Sequence, residues 1–405
     1  MHIVLANQWF PPENSWGGVA TYNYVMAHAY RELGHTVTVI TSRVAANTPA
    51  AQESEGIHVQ RLLVRDAYRL RRLPGIGRYV RSVQQLSYSW RVAQSIRQLH
   101  CEKPIDVVEF AEVNAEGFFY ARAPQTPVVV RCHTPTFILE RYYDSLEMPF
   151  DTRITNYCER DLIRRAHALT TPSRDMASVI ANECKIPIQD IAVVPNALDV
   201  SEFPPQPSRL NGDKITILYV GRLERAKGIT VLGDAIPRVV QSVPNARFVI
   251  IGSDRTTARG TSQRAELERR LSESSMLPVR FLGGIPQPVL LDWYKRADIC
   301  VVPSLVYESF SYTCVQAMAV GKPVVASRIG GIPETVDDGV TGVLVTPGNV
   351  GELTEALVRL ARNGNLREQM GRAARDKVVR EYEGVRVAQQ NLQVYERAIA
   401  QFKRR

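Results

Sequence analysis

The stretch PSLVYESFSYTCVQAMAVGKPVVASRIGGIPETV, Pro303 to Val336, decides how the chain is read. Just before and into it runs ICVVPS, Ile299 to Ser304, a short apolar run closed by a proline, the pattern of a strand buried on both faces. Ligands of open α/β sheets bind beyond the carboxyl ends of the strands, so Glu308, a few residues past this strand, is set at a crevice. A helix is predicted from about Ser311 to Val320, with Val315, Met318 and Ala319 on its apolar side. The free N–H groups at its start favour an anion, above all a phosphate. The span reads as the floor of a ligand site.

The surrounding chain has 405 residues, too many for one ordinary core, so two domains are expected. Six cysteines, at 101, 132, 158, 184, 300 and 314, have no paired metal-ligand spacing, which favours reduced thiols in a cytoplasmic protein over a disulfide framework. The opening MHIVLAN is too short for the apolar core of a signal peptide, and no apolar run approaches the roughly 20 residues that span a bilayer. The net charge of +9 is uneven. Between Arg61 and His100 every basic side chain other than His is an Arg, and Asp66 is the sole acid. Such a basic face is either a solvated surface or a contact, running from Arg61 to Arg97, with an anionic membrane surface or a phosphorylated acceptor. No nucleic-acid motif accompanies it, so no nucleic acid is expected as a partner.

Taken in order, His2 to Ala6 is strand-like, and the loop NQWFPPENSWGG delivers Gly17 and Gly18 to the start of a helix that ends near Leu33. With the strand Thr36 to Thr41 this makes a strand–helix–strand unit and argues for a parallel sheet. The glycine pair lets backbone approach a ligand closely and leaves helix N–H groups for phosphate. Asp106 to Phe110 and Val128 to Cys132 read as further buried strands. The second ends in RCHTP, with His133 at its carboxyl end, and Glu109 and Glu112 flank the end of the first as acceptor-binding candidates or solvated carboxylates. LTTPSR from Leu169 and IAVVPNALD from Ile191 each supply a short strand and a turn. Pro204, Pro205 and Pro207 mark a linker over 204–213.

A second domain opens with ITILYVGRLERAKG. Arg222 offers a bidentate fork and Lys227 a mobile point charge, a pair suited to a diphosphate when both converge at one strand end. RFVIIG, VRFLGG, ICVVPS, PVVAS and TGVLV continue a strand and helix alternation, which predicts a second doubly wound sheet. After Asn349 the pattern is helical, and Glu383 to Phe402 is amphipathic through Val387, Leu392, Val394, Tyr395 and Ile399.

Glu308, Phe310, Ala317, Met318, Gly321, Lys322, Pro323 and Val324, with Gly330, Gly331, Pro333 and Glu334, resemble the carboxyl-domain signature of glycosyltransferase family 4, also called glycosyl transferases group 1. Two positions depart: the second Glu of the family pattern is Gln316 here, and Ala197 stands where a Gly usually follows Pro195 and Asn196. The resemblance implies the GT-B fold, two Rossmann-like doubly wound α/β domains with parallel sheets facing a central cleft. Residues 1–203 would bind the acceptor and 214–383 the nucleotide-sugar donor, with a terminal helix at about 384–405 packing back onto the first domain. It implies a retaining, metal-independent hexosyltransferase that moves a sugar from a UDP- or GDP-linked donor to an acceptor hydroxyl in polysaccharide, glycolipid or other glycoconjugate biosynthesis. Domain closure over the donor completes such a site.

In that scheme Arg222 and Lys227 hold the diphosphate with the backbone of Ser309, Phe310 and Ser311, the glycine loop of Gly17 and Gly18 covers it, and Glu308 binds sugar hydroxyls. His133 sits beside the donor sugar and helps stabilise developing charge. Gln316 takes the ribose position, where a carboxylate would only accept but an amide also donates. No cofactor and no metal ligands are expected, since no Asp-x-Asp pair occurs. The enzyme would be cytoplasmic, peripheral at the inner face of the membrane. A nucleotide-sugar epimerase, a sugar phosphorylase and a non-catalytic nucleotide-sugar binding subunit stay open as alternatives.

Overall fold

A computed structural model of the chain describes residues 1–11, 17–43, 48–64, 77–142, 150–206, 214–254, 260, 262–272 and 278–404. The chain divides into two compact units, Met1–Leu198 with Gly384–Arg405, and Asp199–Glu383.

The first unit is built on strands β1 (His2–Ala6), β2 (Thr36–Arg43), β3 (Ala51–Ser54), β4 (Ile57–Leu63), β5 (Val107–Ala111), β6 (Val128–Arg131), β7 (Ala168–Thr171) and β8 (Ile191–Val193). They form one sheet in the order β3-β4-β2-β1-β5-β6-β7-β8. Only the edge strand β3 runs antiparallel among the described pairs. Its sequence, AQES, is mostly exposed, whereas β1, HIVLA, is buried throughout. A central strand covered on both faces must be apolar on both, which is why these runs do not alternate. β4 does alternate, as IHVQRLL, with Ile57, Val59 and Arg61 inward.

That pleat corrects the expectation for the basic segment, because Arg61 is buried and does not offer its charge to a surface. Arg65, Arg69, Arg71 and Arg72 lie outside the described residues. The helix Val80–Glu102 carries Arg81, Arg91 and Arg97, of which Arg91 donates to the Leu63 carbonyl and Arg97 to that of Ala123.

The terminal helix Gly384–Lys403 belongs to this unit. It lies against the first helix, Gly18–Glu32, burying Val387, Ala388, Val394, Tyr395 and Ala398, and Phe402 meets His167 edge to face at 5.0 Å. Burying each large apolar side chain contributes about 1.5–3 kcal/mol, so this long helix is fixed by its apolar stripe.

The second unit has strands β9 (Ile215–Val220), β10 (Ala246–Ile251), β11 (Val279–Gly283), β12 (Ile299–Val302), β13 (Val324–Ser327) and β14 (Gly342–Val345), all parallel, in the order β11-β10-β9-β12-β13-β14. Both units are therefore the doubly wound parallel α/β type expected. Pro204 to Gln206 already belong to this unit: Gln206 N–H donates to the Val320 carbonyl at 3.0 Å and Arg375 Nη1 to the Phe203 carbonyl at 2.7 Å. The rest of the expected linker, 207–213, lies outside the described residues.

Strand order reverses between β1 and β5 in the first unit and between β9 and β12 in the second. At such switch points the loops leaving the two strands diverge and open a crevice at their carboxyl ends. In the second unit the opposite loops are nevertheless stapled at their base. Leu305 and Val306 both donate their N–H to the Ala226 carbonyl, at 2.8 and 3.1 Å. Gly228 has φ +72, and a Cβ on it would stand 1.7 Å from the Pro303 carbonyl oxygen. Gly228→Ala meets both an unfavourable left-handed backbone and that carbonyl, and should destabilise the protein by about 2–3 kcal/mol or more. Chemical denaturation checks this, and an unchanged midpoint would remove the close approach as a constraint.

Candidate active site

At the second unit's switch point the strand β9 ends in Val220, and Gly221 to Glu224 lead into a 3-10 turn, Arg225–Lys227. The Tyr219 hydroxyl donates to the Arg222 carbonyl at 2.9 Å and reaches that of Lys227 at 3.4 Å, so the strand holds its own loop. From β12 the chain passes Pro303 and Ser304 to Glu308. Lys227 Nζ lies 2.5 Å from Glu308 Oε1, and Ser304 Oγ donates to the same oxygen at 2.9 Å. Two of the residues singled out from the sequence are thus brought together, and Ser304 joins them.

The side chains of Lys227 and Glu308 remain 26% and 15% exposed. A partly exposed pair of this kind is worth only about 1 kcal/mol, so an incoming anion can take over the ammonium cheaply. Lys227 has three N–H donors and Glu308 spends one oxygen on it, which leaves further donors on the cation for an anion and Oε2 for a hydroxyl. Arg222 stands on the same loop but turns to Glu224, with Nη2 at 2.8 Å from Oε1, and keeps 41% of its side chain exposed.

Glu308 is followed by Ser309 and Phe310, and Ser311 caps the helix Tyr312–Ala319 by accepting from Cys314 N–H at 3.4 Å. Phe310 is buried edge to face against Tyr312 and Tyr382, which fixes the backbone leading into the helix start. Gly330, at φ +55, crosses over this segment: a Cβ there would stand 2.4 Å from the Glu308 carbonyl oxygen, which accepts from Gly331 N–H at 2.7 Å. The glycines of IGGIP therefore clamp Glu308 from behind.

Gln316 lies on the helix that follows. It is 8% exposed, and its Oε1 accepts from the Tyr294 hydroxyl at 3.2 Å. One of the two lone pairs on the carbonyl oxygen that would serve a diol is taken by this hydroxyl.

In the first unit the residues of interest also lie beyond strand ends. Gly17 is the N-cap of the first helix in extended backbone, φ −144, and a Cβ there would meet nothing within 4 Å. Residues 12–16 of the loop lie outside the described residues.

His133 follows β6. Its N–H donates to Glu112 Oε2 at 2.8 Å, its ring packs edge to face on Tyr22 with centroids 5.2 Å apart, and it is 6% exposed. Among the described residues its Nε2 is buried with no hydrogen-bond partner. Burial, with Arg131 nearby, holds the imidazole well below its ordinary range. The ring is neutral at pH 7, with one nitrogen donating and the other accepting.

Two expectations are corrected here. Glu109 and Glu112 are buried and are not solvated loop carboxylates open to an acceptor. Glu109 Oε2 accepts from the Tyr395 hydroxyl at 2.7 Å and that of Tyr22 at 3.4 Å, which ties β5 to the terminal helix. Burial pushes its carboxyl up, while Tyr395, Arg131 and Tyr22 pull it back. Glu112 carries the backbone of His133, and burial, aided by Glu159, pushes it up to about 8.

Arg131, which the sequence reading passed over, is fully buried. Its Nη2 donates to Asn196 Oδ1 at 2.7 Å and its guanidinium carbon sits 4.6 Å from the Tyr22 ring centroid. A charged residue inside an otherwise apolar strand, VVVRC, was the available signal.

Comparison with known proteins agrees with this layout. Residues 16–202 match the model described as Glycosyltransferase Family 4 and residues 200–377 the model described as Glycosyl transferases group 1. A phosphatidyl-myo-inositol mannosyltransferase of Mycobacterium leprae is 28% identical over 357 residues, 86% of this chain and 84% of that one. A glycogen synthase of Mycobacterium tuberculosis is 32% identical over 206 residues, which span 51% of this chain and about half, 48%, of that relative. Among solved structures, sucrose-phosphate synthase from Thermosynechococcus elongatus superposes with a TM-score of 0.81 at 22% identity, covering 99% of this chain and all of that one. HepE of Anabaena in complex with UDP-glucose does so with a TM-score of 0.71 at 19% identity, covering 97% and 98%. Two consecutive family matches over two doubly wound units leave one conclusion: the chain belongs to glycosyltransferase family 4, the glycosyl transferases of group 1.

Proposed function

We propose that the protein is a retaining glycosyltransferase that transfers a sugar from a nucleoside diphosphate donor, UDP- or GDP-linked, to an acceptor hydroxyl in polysaccharide or glycolipid biosynthesis. The observation that carries this reading is the Lys227–Glu308 pair at a topological switch point, a cation and a carboxylate beside a capped helix start. Lys227 and Arg222 bind the diphosphate and stabilise the charge it gains on leaving. Glu308, released from Lys227 by the phosphate, accepts hydroxyls of the transferred sugar. The positive groups take the part a metal ion plays elsewhere, so the reaction needs none. His133, an uncharged imidazole, contacts the sugar, and the acceptor attacks on the face the diphosphate leaves, with no protein nucleophile assigned. The UDP-glucose complex of HepE supports a nucleotide-sugar donor.

A membrane-bound acceptor is supported by an aromatic set on the first unit. Trp90, Phe119, Phe118 and Tyr157 form a chain of edge-to-face rings from the helix Val80–Glu102 to the helix Thr152–Arg165, and Tyr79 meets Phe150 in the same way. Arg78 and Arg122 lie over rings of this set. Trp90 is 48% exposed and Tyr157 62%. Exposed aromatics interleaved with Arg suit the headgroup region of an anionic bilayer, so the protein is read as peripheral at the cytoplasmic face. Among the described residues no helix is long and apolar enough to cross a membrane.

Three measurements test this reading. Lys227→Ala should raise the donor KM and lower kcat/KM by about 10- to 100-fold, the value of one charge-assisted hydrogen bond, with little change in melting temperature. Unchanged kinetics would end the phosphate role. Calorimetry of UDP, GDP and ADP on the protein and on Gln316→Glu should show similar affinities, because Gln316 Oε1 is already engaged by Tyr294; a gain of about tenfold or more in the Glu variant would restore the ribose contact. Co-sedimentation should show binding to phosphatidylcholine vesicles only when phosphatidylglycerol is added, weakened by Trp90→Ser with Tyr157→Ser. Binding indifferent to anionic lipid or to those side chains would sink the membrane surface.

A further inference from the structure

We propose that Tyr22, anchored by Asn391 of the terminal helix, is a positioning residue that aims the His133 imidazole at substrate. The inference rests on the reading of His133 as a group that touches the donor sugar. With no partner on Nε2 among the described residues, the rotation of the imidazole has to be set by what packs against it. That neighbour is Tyr22, whose ring stands at 73° to the imidazole. The same ring lies under the Arg131 guanidinium, so it is held between a cation and the imidazole.

What stops Tyr22 from swinging is its hydroxyl. Asn391 Nδ2 donates to it at 2.6 Å and to the Tyr30 hydroxyl at 3.0 Å. Tyr30 in turn donates to the Tyr395 hydroxyl at 2.9 Å, and Tyr395 to Glu109 Oε2 at 2.7 Å. Tyr22, Tyr30, Asn391, Tyr395 and Arg131 are all fully buried, and a close-packed interior leaves each one rotamer. The terminal helix, the last segment of the chain, therefore reaches His133 through a single tyrosine. Tyr22 also sits one turn into the helix that the Gly17 and Gly18 pair begins, so the helix start and the imidazole are referred to one rigid element. Displacing a reacting group by about 1 Å can cost about 100-fold in rate, which is the effect such a buttress prevents.

The test uses the full-length protein and hydrolysis of whichever of UDP-glucose and GDP-mannose it turns over, followed by nucleotide release. Tyr22→Leu should lower kcat about tenfold with donor KM within about twofold, and Tyr22→Phe, which keeps the ring but loses the hydroxyl that anchors it, should fall between Tyr22→Leu and the unaltered protein. Asn391→Ala, which removes the donor to that hydroxyl, should lose no more than Tyr22→Phe. In a His133→Ala background Tyr22→Leu should lower kcat no further, since a residue acting through His133 has nothing left to aim. The His133 Hε1 resonance, identified by its absence from His133→Ala, should move on Tyr22→Leu as the ring current is lost and move less in Tyr22→Phe, which keeps the ring. Additive losses in the double variant, or an unmoved resonance, would overturn the positioning role alone. Full kcat in His133→Ala would instead overturn the reading of His133 on which it stands.

Discussion

The second unit depends on one close approach, the backbone of Gly228 against the carbonyl of Pro303. Loops leaving β9 and β12 at a strand-order reversal would diverge, and the crevice between them would be wide. The amides of Leu305 and Val306 on the Ala226 carbonyl pull them together at the base, and only a residue without a Cβ fits beside Pro303. Lys227 is caught inside this staple, which is why its ammonium meets Glu308 from the far loop. Gly330 and Gly331 brace Glu308 from the other side. Three segments far apart in sequence thus position one ion pair, and each does so through backbone, where a side-chain change cannot easily undo it.

The first unit solves its problem with buried polar side chains. Arg131, Glu109, Tyr22, Tyr30, Tyr395 and Asn391 are all withdrawn from water; the tyrosines, Glu109 and Asn391 hydrogen-bond one another, and Arg131 bonds Asn196 and lies over the Tyr22 ring, which offsets part of the cost of burying them. Breaking a member would strand the rest, so the terminal helix is specified by polar matching as well as by its apolar stripe. The same cluster touches the imidazole of His133 through Tyr22, and burial with Arg131 keeps that imidazole neutral. Below pH 7 an exposed histidine would charge, whereas this one stays an uncharged donor and acceptor across the physiological range.

The parallel sheets were legible because central strands such as HIVLA and ICVV are apolar on both faces, a pattern few other structures produce. Lys227 and Glu308 were legible as separate candidates, through turn glycines and strand ends. β4 was not, since its alternation hides Arg61 on the inner face, and an arginine in sequence looks like surface until the pleat assigns it a side. Glu109 misled for the same reason. It is a residue of β5, and its partners Tyr22 and Tyr395 lie 87 and 286 positions away, a separation no local pattern encodes.

By itself, the sequence determined the class of fold, the family, and the residue types gathered at strand ends, because periodicity, glycine turns and short motifs are local properties of the chain. Tertiary structure alone decided which of those residues meet. It joined Lys227 to Glu308, committed Gln316 to Tyr294, buried Glu109 under the terminal helix, and left His133 Nε2 without a partner among the described residues. The physical reason is that a hydrogen bond is decided within about 3 Å in space, and that distance is set by packing between segments rather than by spacing along one.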